Sequence, residues 1–405
     1  MITEVIIENF KAIHKMEPLP LQPFSVFIGN NGSGKSSVLE ALRLIQNAVT
    51  VDLNTAFNEW GGLDRLRNYN AAMPGGSGSE GEPNISFEPV NITFRALIAD
   101  QNFKYTVYFN TNNKGGYFVE KEELDCDGTT LLSVKANING SINEGFYYSI
   151  SKKGAEPKQT PYSLPSYILL LGLREINPYS FDPSIKLFKE YIKNWQFLYL
   201  NAHNMGKPIL QDRANREIKL NYDGRNVADY LFWLNEQGEE YINNLIRKLQ
   251  FVLPYLSDLQ TNTYDSHNRE IELSLYETNE NNKKPIPGWL LSSGTLRIVA
   301  LLAMFETPKK PSVLFIDEVE NGLDPRTIGL LIGLIQEVYA DKSMQVVVTT
   351  HSPYFLDLVP LESIIVSEKD NEKTYFHVPK DEEALAKWKE KFSPGKLYTM
   401  GKLTK

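Results

Sequence analysis

One glycine-rich stretch, Gly29-Asn30-Asn31-Gly32-Ser33-Gly34-Lys35-Ser36, restricts the fold of this chain more than any other. It matches G-x-x-x-x-G-K-[ST], follows the apolar run 25–28 and precedes a helical pattern. Glycines let successive N–H groups turn towards an anion, and the start of a helix adds positive potential. Lys35 is expected to bind phosphate oxygens and Ser36 a bridging Mg²⁺ ion, with Ser37 next to them. The alternative is a flexible loop that matches by chance.

Composition narrows the class of protein. The 405 residues suggest two domains, or one large domain with an insertion. The net charge of -8 argues against a surface coated for non-specific nucleic-acid binding, although a local basic groove is compatible with it. Cys126 is the only cysteine, which excludes an intrachain disulfide and favours a reducing compartment. Because no leader pattern or membrane-length apolar run is present, we expect a cytoplasmic protein without membrane contact.

In the first part of the chain, hydrophobic periodicity predicts a strand, then a helix, then a series of strands. Residues 1–9 are predicted to form a strand and residues 36–49 a helix. Alternation between Ile85 and Ile150 predicts an antiparallel sheet with a hairpin turn at 112–116. Composition predicts a mobile loop at 73–79.

The middle of the chain is predicted to be mixed and the last third to be a parallel α/β structure. A buried strand is expected at 195–200, a helix capped by Asp223, a second helix before Pro254 and a hairpin between Leu259 and Tyr276. Apolar runs at 313–316 and 346–348 alternate with helical stripes, which is typical of a parallel sheet covered by helices. No heptad pattern persists long enough for a coiled coil.

Three stretches in the last third carry candidate functional residues. Leu291-Ser292-Ser293-Gly294-Thr295 opens a helix, and a plain helix cap at Ser293 or Thr295 is the alternative interpretation. Asp317 and Glu318 follow a buried strand, where α/β sheets bind ligands; they could hold Mg²⁺ and orient water, or be a solvated acidic turn. His351 also follows a buried strand, where a single histidine is usually structural.

Taken in their order, these motifs resemble those of ATP-binding-cassette ATPases of the SMC, Rad50 and RecF type. The chain looks closest to the stand-alone bacterial predicted-ATPase branch related to the ATPase part of OLD-family proteins. The resemblance is densest at residues 1–50 and 285–360 and weaker at 222–226 and 392–401. It implies an α/β ATPase head with a P-loop parallel sheet core, an antiparallel β subdomain, a helical insertion and no long coiled coil. The corresponding boundaries are 1–70, 71–158, 159–288 and 289–405.

The resemblance also implies roles for individual residues. Residues 29–36 would be the Walker A loop, with ATP and Mg²⁺ as cofactors. Asp317 and Glu318 would be Walker B and its catalytic glutamate, residues 322–325 with Asp324 the D-loop, and His351 the switch histidine. Ser292 and Gly294 would be signature residues that act in trans, so that two copies of the chain close over two nucleotides.

Two features depart from the family pattern. Ser293 and Thr295 stand where relatives usually carry Gly and Gln or Glu, and no Q-loop glutamine can be assigned near 60–62. The Toprim nuclease domain of OLD proteins has no counterpart among the roughly fifty residues after His351. Glu368, Asp370 and Glu372 there are predicted to be solvated charges of a polar turn, so intrinsic nuclease activity is not expected.

Three functions remain open from the sequence. The first is an ATPase whose turnover switches a separately encoded effector, a nuclease or toxin, perhaps Toprim-like, in bacterial anti-phage defence. The second is an ATP-clamped scaffold or inhibitor with slow hydrolysis. The third is a RecF-like DNA repair clamp, for which a basic groove is conceivable although a solvated face is favoured; its residues would be Lys207, Arg213, Arg216, Lys219 and Arg225.

Overall fold

The secondary structure alternates between strand-rich and helix-rich stretches. A computed structural model describes residues 1–74, 85–111, 116–136, 142–149, 158–165, 167–173, 182–265, 269–278, 285–370, 373–379 and 391–403. The strands are β1 Ile2–Phe10, β2 Ile13–Lys15, β3 Leu19–Pro20, β4 Phe24–Gly29, β5 Ala72–Pro74, β6 Ile85–Phe87, β7 Val90–Ile98, β8 Gln101–Thr111, β9 Tyr117–Cys126, β10 Thr129–Ala136, β11 Ile142–Ser149, β12 Lys158–Pro165, β13 Trp195–Leu198, β14 Ile209–Leu210, β15 Leu256–Asp265, β16 Glu270–Glu277, β17 Pro285–Pro287, β18 Val313–Ile316, β19 Gln345–Thr350, β20 Ile364–Asp370 and β21 Lys373–His377. The helices are α1 Lys35–Thr50, α2 Leu53–Asn58, α3 Leu63–Leu66, α4 Pro183–Lys193, α5 Val227–Gln237, α6 Glu239–Val252, α7 Ser293–Glu306, α8 Pro325–Ala340, α9 Pro353–Asp357 and α10 Pro394–Thr399.

The chain divides into two compact units. The first contains residues 1–195 and 363–379, and the second contains residues 196–362 and 391–403. The predicted antiparallel sheet is confirmed in the first unit, where strands follow the order β12-β11-β10-β9-β8-β7-β1-β2 and β3 pairs with β1. Alternate residues of β8, such as Phe103, Tyr105 and Val107, are buried, as the period of two requires. Phe188 of α4 stacks on Phe103 and so covers this face.

A second sheet in the first unit positions the glycine-rich loop. Strand β4 is buried along its whole length, so its sequence is a continuous apolar run. It pairs in parallel with β20, where Ser367 lies opposite Gly29, and β20 continues antiparallel into β21. Helix α1 follows the loop directly and buries Val38, Leu42 and Ile45, the stripe that the sequence predicts.

The second unit contains the parallel strands of the last third of the chain. Strand β18 pairs in parallel with β19, from Val313 opposite Gln345 to Ile316 opposite Val348. The Phe197 ring of β13 stacks on the Phe315 ring of β18, with centroids 4.2 Å apart. A small antiparallel sheet of order β14-β16-β15, with β17 also on β16, completes the strands described in this unit.

Several local predictions are wrong. Asp223 does not cap a helix: α5 begins after Asn226, while the Asp223 carboxylate binds the Arg225 guanidinium at 2.9 Å. The strand predicted at 195–200 ends at Leu198. Glu368 and Asp370 lie in β20, because strand pairing with β21 extends through them. Glu372, most of the predicted turn at 112–116 and most of the loop at 73–79 lie outside the described residues.

The described residues contain no long coiled coil, in agreement with the prediction. The longest helices in the described part of the chain, α1 and α8, have 16 residues each. Within the same residues, no helix combines the length and hydrophobicity needed to cross a bilayer.

The first unit contains a fully buried carboxylate, that of Glu122 in β9. It accepts hydrogen bonds from the Leu170 N–H at 2.6 Å, the Leu171 N–H at 3.0 Å and the Tyr105 hydroxyl at 2.9 Å. Burial raises the pKa of Glu122 from 4.5 to about 7, although these bonds and Lys189 oppose the rise. The folded state therefore holds this proton to higher pH than the unfolded chain does.

We expect the stability supplied by Glu122 to be complete below pH 4.5 and to be lost as the pH rises through about 7. The loss is roughly 3 kcal/mol, from about 1.4 kcal/mol per pKa unit. Thermal unfolding from pH 5 to 8.5 should show the wild-type midpoint falling relative to that of Glu122→Gln, which cannot ionise. If the unfolding midpoints of the two proteins changed with pH in parallel, the raised pKa of Glu122 would be contradicted.

Candidate functional site

The glycine-rich loop has the backbone geometry of an anion cradle. Gly32 and Gly34 adopt positive φ values of 77° and 94°. Gly34 is also the N-cap of α1 and has no side chain that could accept from the first turn, whereas Asp52, Ser292 and Asp324 do so for α2, α7 and α8. The N-cap residue of α1 therefore provides no side-chain acceptor for the first N–H groups of the helix.

Residues from the far end of the chain hold the loop in this conformation. The Ser367 hydroxyl donates to the Ser33 carbonyl oxygen at 2.5 Å. A Cβ atom on Gly29 would lie 2.1 Å from the Ser367 carbonyl oxygen, so only glycine fits there. Thr374 of β21 donates to the Ala12 carbonyl oxygen at 2.9 Å and its methyl group approaches Gly34.

Lys35 and Ser33 fit a phosphate ligand. The Lys35 side chain is 5% exposed and donates to the Gly29 and Asn30 carbonyl oxygens at 2.8 and 3.1 Å, which keeps the ammonium on the loop. The Ser33 hydroxyl is buried and lacks a hydrogen-bond partner among the described residues. Ser36 and Ser37 follow in the first turn of α1, and Asn30 and Asn31 are exposed on the loop. The donor set therefore suits a polyphosphate with Mg²⁺ on a hydroxyl oxygen.

In the second unit, Thr349 joins the two candidate carboxylate residues. Asp317 and Glu318 directly follow β18, and Thr349 belongs to the neighbouring strand β19. The fully buried Thr349 hydroxyl donates to Asp317 Oδ1 and accepts from the Glu318 N–H at 2.8 Å. Glu318 has a φ of 51°, a left-handed conformation that non-glycine residues rarely adopt. These bonds fix the Asp317 carboxylate and the Glu318 backbone at the end of the strand.

The segment after Glu318 is tied to His351. Asn321 donates to Glu318 Oε2 at 3.2 Å, and the His351 N–H donates to Glu320 Oε1 at 2.6 Å. The His351 side chain itself is exposed, so its imidazole is presented to solvent while its backbone is held. The Glu318 carboxylate and the His351 backbone are thus each bonded to a residue of the segment 320–321.

The signature stretch is the start of α7. Its N-cap is Ser292, whose hydroxyl accepts from the Thr295 N–H at 3.1 Å. The alternative interpretation, a cap at Ser293 or Thr295, therefore named the wrong residue. A Cβ on Gly294 would lie 2.5 Å from the Gly322 carbonyl oxygen, which places this glycine against the segment after the carboxylates. Arg297 donates to the Asn321 and Leu200 carbonyl oxygens at 3.0 and 3.2 Å.

Electrostatic effects agree with a concentration of negative charge at the end of β18. The Glu318 carboxylate, followed by burial and Asp317, raises the pKa of Tyr199. Asp324 caps α8 by accepting from the Arg326 and Thr327 N–H groups, and its hydrogen bond from the Thr327 hydroxyl lowers its pKa. Asp324 therefore has a structural function besides any contact with a ligand.

Several residues of this network were not predicted as functional. Thr349, Glu320, Asn321, Arg297 and Ser367 have hydroxyl, amide or charged side chains that sequence alone does not distinguish from surface residues. Position was the available signal for Thr349, because it is the second-last residue of a buried strand and lies two residues before His351.

The comparison with protein families decides the identity. The family described as "AAA domain, putative AbiEii toxin, Type IV TA system" matches residues 24–131 and 174–357, which is more than half of the chain. The chain belongs to this AAA family. No curated protein gives a significant sequence match. The matched ranges of this AAA-family chain contain the glycine-rich loop, the two carboxylates and His351.

Solved structures show the fold of this AAA-family chain to be that of an SMC head. The SMC head bound to the C-winged helix domain of ScpA aligns with a TM-score of 0.55 and 12% identity, covering 95% of this chain and 99% of that one. The head from Pyrococcus furiosus, with an extended coiled coil and bound to the C-terminal domain of ScpA, gives 0.49 and 14%, covering 96% and 98%. The head domain from Thermotoga maritima gives 0.40 and 13%, covering 94% and 99%. The fold comparison rests on the first.

We expect Thr349→Val to lower the turnover number for ATP by about tenfold or more, because Asp317 and Glu318 both lose the hydroxyl that fixes them. The Michaelis constant should change much less. Thr349→Ser keeps the hydroxyl and should restore most of the rate. Steady-state kinetics on the three proteins would test this, and equal rates for Val and Ser would contradict the positioning role.

Proposed function

We propose that this protein is a Mg²⁺-dependent ATPase that dimerises around two ATP molecules and switches a partner effector. The observation that carries the proposal is the Thr349 hydroxyl, which joins the Asp317 carboxylate to the Glu318 backbone and lies two residues before His351. A solvated acidic turn needs no buried hydroxyl that binds one carboxylate and the backbone of the next residue. The anion cradle of the glycine-rich loop is the second support.

Each residue then has a chemical task. Gly29, Gly32 and Gly34 shape the loop, Lys35 binds the terminal phosphates as a point charge, and Ser33 offers its buried hydroxyl. Ser36 and Asp317 would hold Mg²⁺, which neutralises charge on the phosphates when bound. Glu318 would accept a proton from the attacking water, and His351 would sense the γ-phosphate.

The signature residues are proposed to act on the nucleotide of a second copy. Ser292 caps the Thr295 N–H, which leaves the N–H groups of Ser293 and Gly294 at the start of a 14-residue helix for an incoming anion. Asp324 would lie in the D-loop of the same contact. A dimer follows because one chain supplies the loop and the other supplies the signature.

The wider role is proposed from the family description. The family description includes the words "putative AbiEii toxin, Type IV TA system", which fit a function in bacterial defence. The effector would be a separately encoded nuclease or toxin, and the cytoplasm the site of action. A DNA clamp has weaker support, because Arg225 of the proposed basic groove is bound by Asp223 at 2.9 Å.

Replacing Lys35 by Ala tests nucleotide binding directly. We expect the dissociation constant for a fluorescent ATP analogue with Mg²⁺ to rise by about a hundredfold, equivalent to about 2.8 kcal/mol, since a charge-assisted contact is lost. Lys186→Ala, an exposed lysine on α4, is the matched control and should bind as wild type does. Phosphate release by wild type should stop in EDTA. Wild-type protein that neither binds nor turns over ATP would refute the proposed function.

A further inference from the structure

A cleft in the second unit, remote in sequence from every residue assigned above, lies between α6 and β15. It has a volume of about 390 Å³. One wall is a single face of α6, with Glu239, Ile242, Asn243 and Ile246 at the spacing i, i+3, i+4 and i+7. The other wall is the unbroken run 258–262 of β15.

Five consecutive strand residues in one wall identify the part of the strand that faces the cleft. Successive side chains of a strand point to opposite faces, so such a run can line one cleft only along the strand's edge, where the backbone N–H and C=O groups lie. Strand β15 is the last strand of the order β14-β16-β15. No other strand described in the chain pairs with its outer edge.

The regular stretch of this edge lacks lysine, proline and bulges, and one of its N–H groups, that of Leu259, donates to Asp258 Oδ1 at 2.8 Å. The pairing of β15 with β16 is regular from Asp258 to Thr263 and irregular on both sides of that stretch. Edges are commonly blunted by lysine, proline or a bulge, and the residues 258–263 contain neither lysine nor proline. The regular stretch is long enough for an added strand of about six residues.

The chemistry of the walls defines the segment that would fit. Two carboxylates, those of Glu239 and Asp258, line the cleft, and its ten lining residues include no lysine or arginine. Ile242 and Ile246 give the α6 wall an apolar strip. The other polar lining side chains are amides and a hydroxyl, those of Asn235, Asn243, Gln260, Thr261 and Asn262.

We propose that this cleft binds an extended segment of a partner protein, which adds as a strand to the outer edge of β15. Main-chain hydrogen bonds to β15 would supply the affinity. Alternate side chains would give the specificity, with basic ones towards Glu239 and Asp258 and apolar ones on Ile242 and Ile246. This surface is a docking site separate from nucleotide chemistry.

Defined peptides test the docking site on the full-length chain. The probes are five fluorescein-labelled heptapeptides in which Lys alternates with Val, Thr, Ile, Leu or Phe, measured by anisotropy. At least one should bind saturably and protect amides of 256–265 from hydrogen exchange. Methylation of its backbone nitrogens should weaken binding by about tenfold or more, since strand pairing needs N–H donors. Replacing its lysines by glutamate should weaken binding at low salt.

Filling the cleft provides the matched mutational test. Asn243 is exposed on the α6 wall, so Asn243→Trp should block the cleft, leave folding and ATP turnover unchanged, and weaken the best peptide by about tenfold or more, equivalent to about 1.4 kcal/mol. Glu236→Trp, exposed on α5 outside the cleft, should bind as wild type does. Absence of saturable binding by all five peptides, or binding insensitive to N-methylation or to Asn243→Trp, would overturn the proposal. If the wild type were a dimer that Asn243→Trp dissociates, the cleft would bind a second copy of this chain, and the proposal of a partner protein would be overturned.

Discussion

Replacing Glu318 by Gln is expected to lower the turnover number for ATP by at least about a hundredfold, as loss of a general base commonly does. The substitution keeps size and shape, and the Asn321 amide that donates to Glu318 Oε2 at 3.2 Å still finds a carbonyl oxygen. The backbone at residue 318 stays held by Thr349 at 2.8 Å. Nucleotide affinity should therefore remain near that of wild type.

The same variant should also accumulate as a nucleotide-bound dimer. If hydrolysis separates the two copies, a chain that binds but does not hydrolyse ATP keeps them together. Light scattering after gel filtration with ATP and Mg²⁺ would measure the mass, with Glu337→Gln, an exposed carboxylate of α8, as control. A variant that turns over ATP at the wild-type rate would exclude Glu318 as the base, whereas a monomer with bound ATP would exclude only the dimer.

Gly395→Ala is expected to produce the largest loss of stability. A Cβ atom at this position would lie 1.9 Å from the Pro353 carbonyl oxygen and 2.6 Å from Asp357 Oδ1, and the Gly395 N–H already donates to the same Asp357 oxygen at 2.6 Å. Helices α9 and α10 would have to move apart. Overpacking of this kind costs about 3 kcal/mol or more. The midpoint of thermal unfolding should fall by on the order of 10 °C.

A second glycine gives the control. At Gly329, inside α8, nothing lies within 4 Å of an added Cβ atom. Gly329→Ala should be neutral or stabilise by up to about 1 kcal/mol, because alanine favours a helix interior. Since α9 begins two residues after His351, Gly395→Ala should also reduce ATP turnover at temperatures where it stays folded. Equal midpoints for the two variants would contradict the contact at Gly395.

Local patterns predicted the elements whose burial is simple. Strands β4 and β18 are buried along their whole length, so their sequences are continuous apolar runs. Helix α1 is buried on one side, so its apolar residues form a stripe. Asp223 was assigned wrongly because its carboxylate binds Arg225, and α5 begins only after Asn226, whose side chain does not cap the helix either. The Asn226 side chain accepts from the Asn221 N–H at 2.7 Å and donates to the Lys219 carbonyl oxygen at 2.8 Å.

The candidate site shows the same limit. The motif residues could be named from their spacing, but the side chains that position them could not. Thr349 and Thr350 are adjacent and identical in type, yet Thr349 bonds to Asp317 while Thr350 accepts from the Ser352 N–H at 3.0 Å. Adjacent side chains on a strand point to opposite faces of the sheet. Which of the two threonines contacts Asp317 can therefore be told only when the orientation of each side chain is known.

The hydrogen bond from Ser367 to the Ser33 carbonyl oxygen spans 334 positions of the chain. Strand β20, which pairs with β4 beside the loop, is likewise synthesised long after β4. A contact of such long range forms late, after the intervening segments can close the loop between its ends. A nascent chain therefore emerges from the ribosome with its glycine-rich loop unbraced, and the brace can form only after residue 367 has been added.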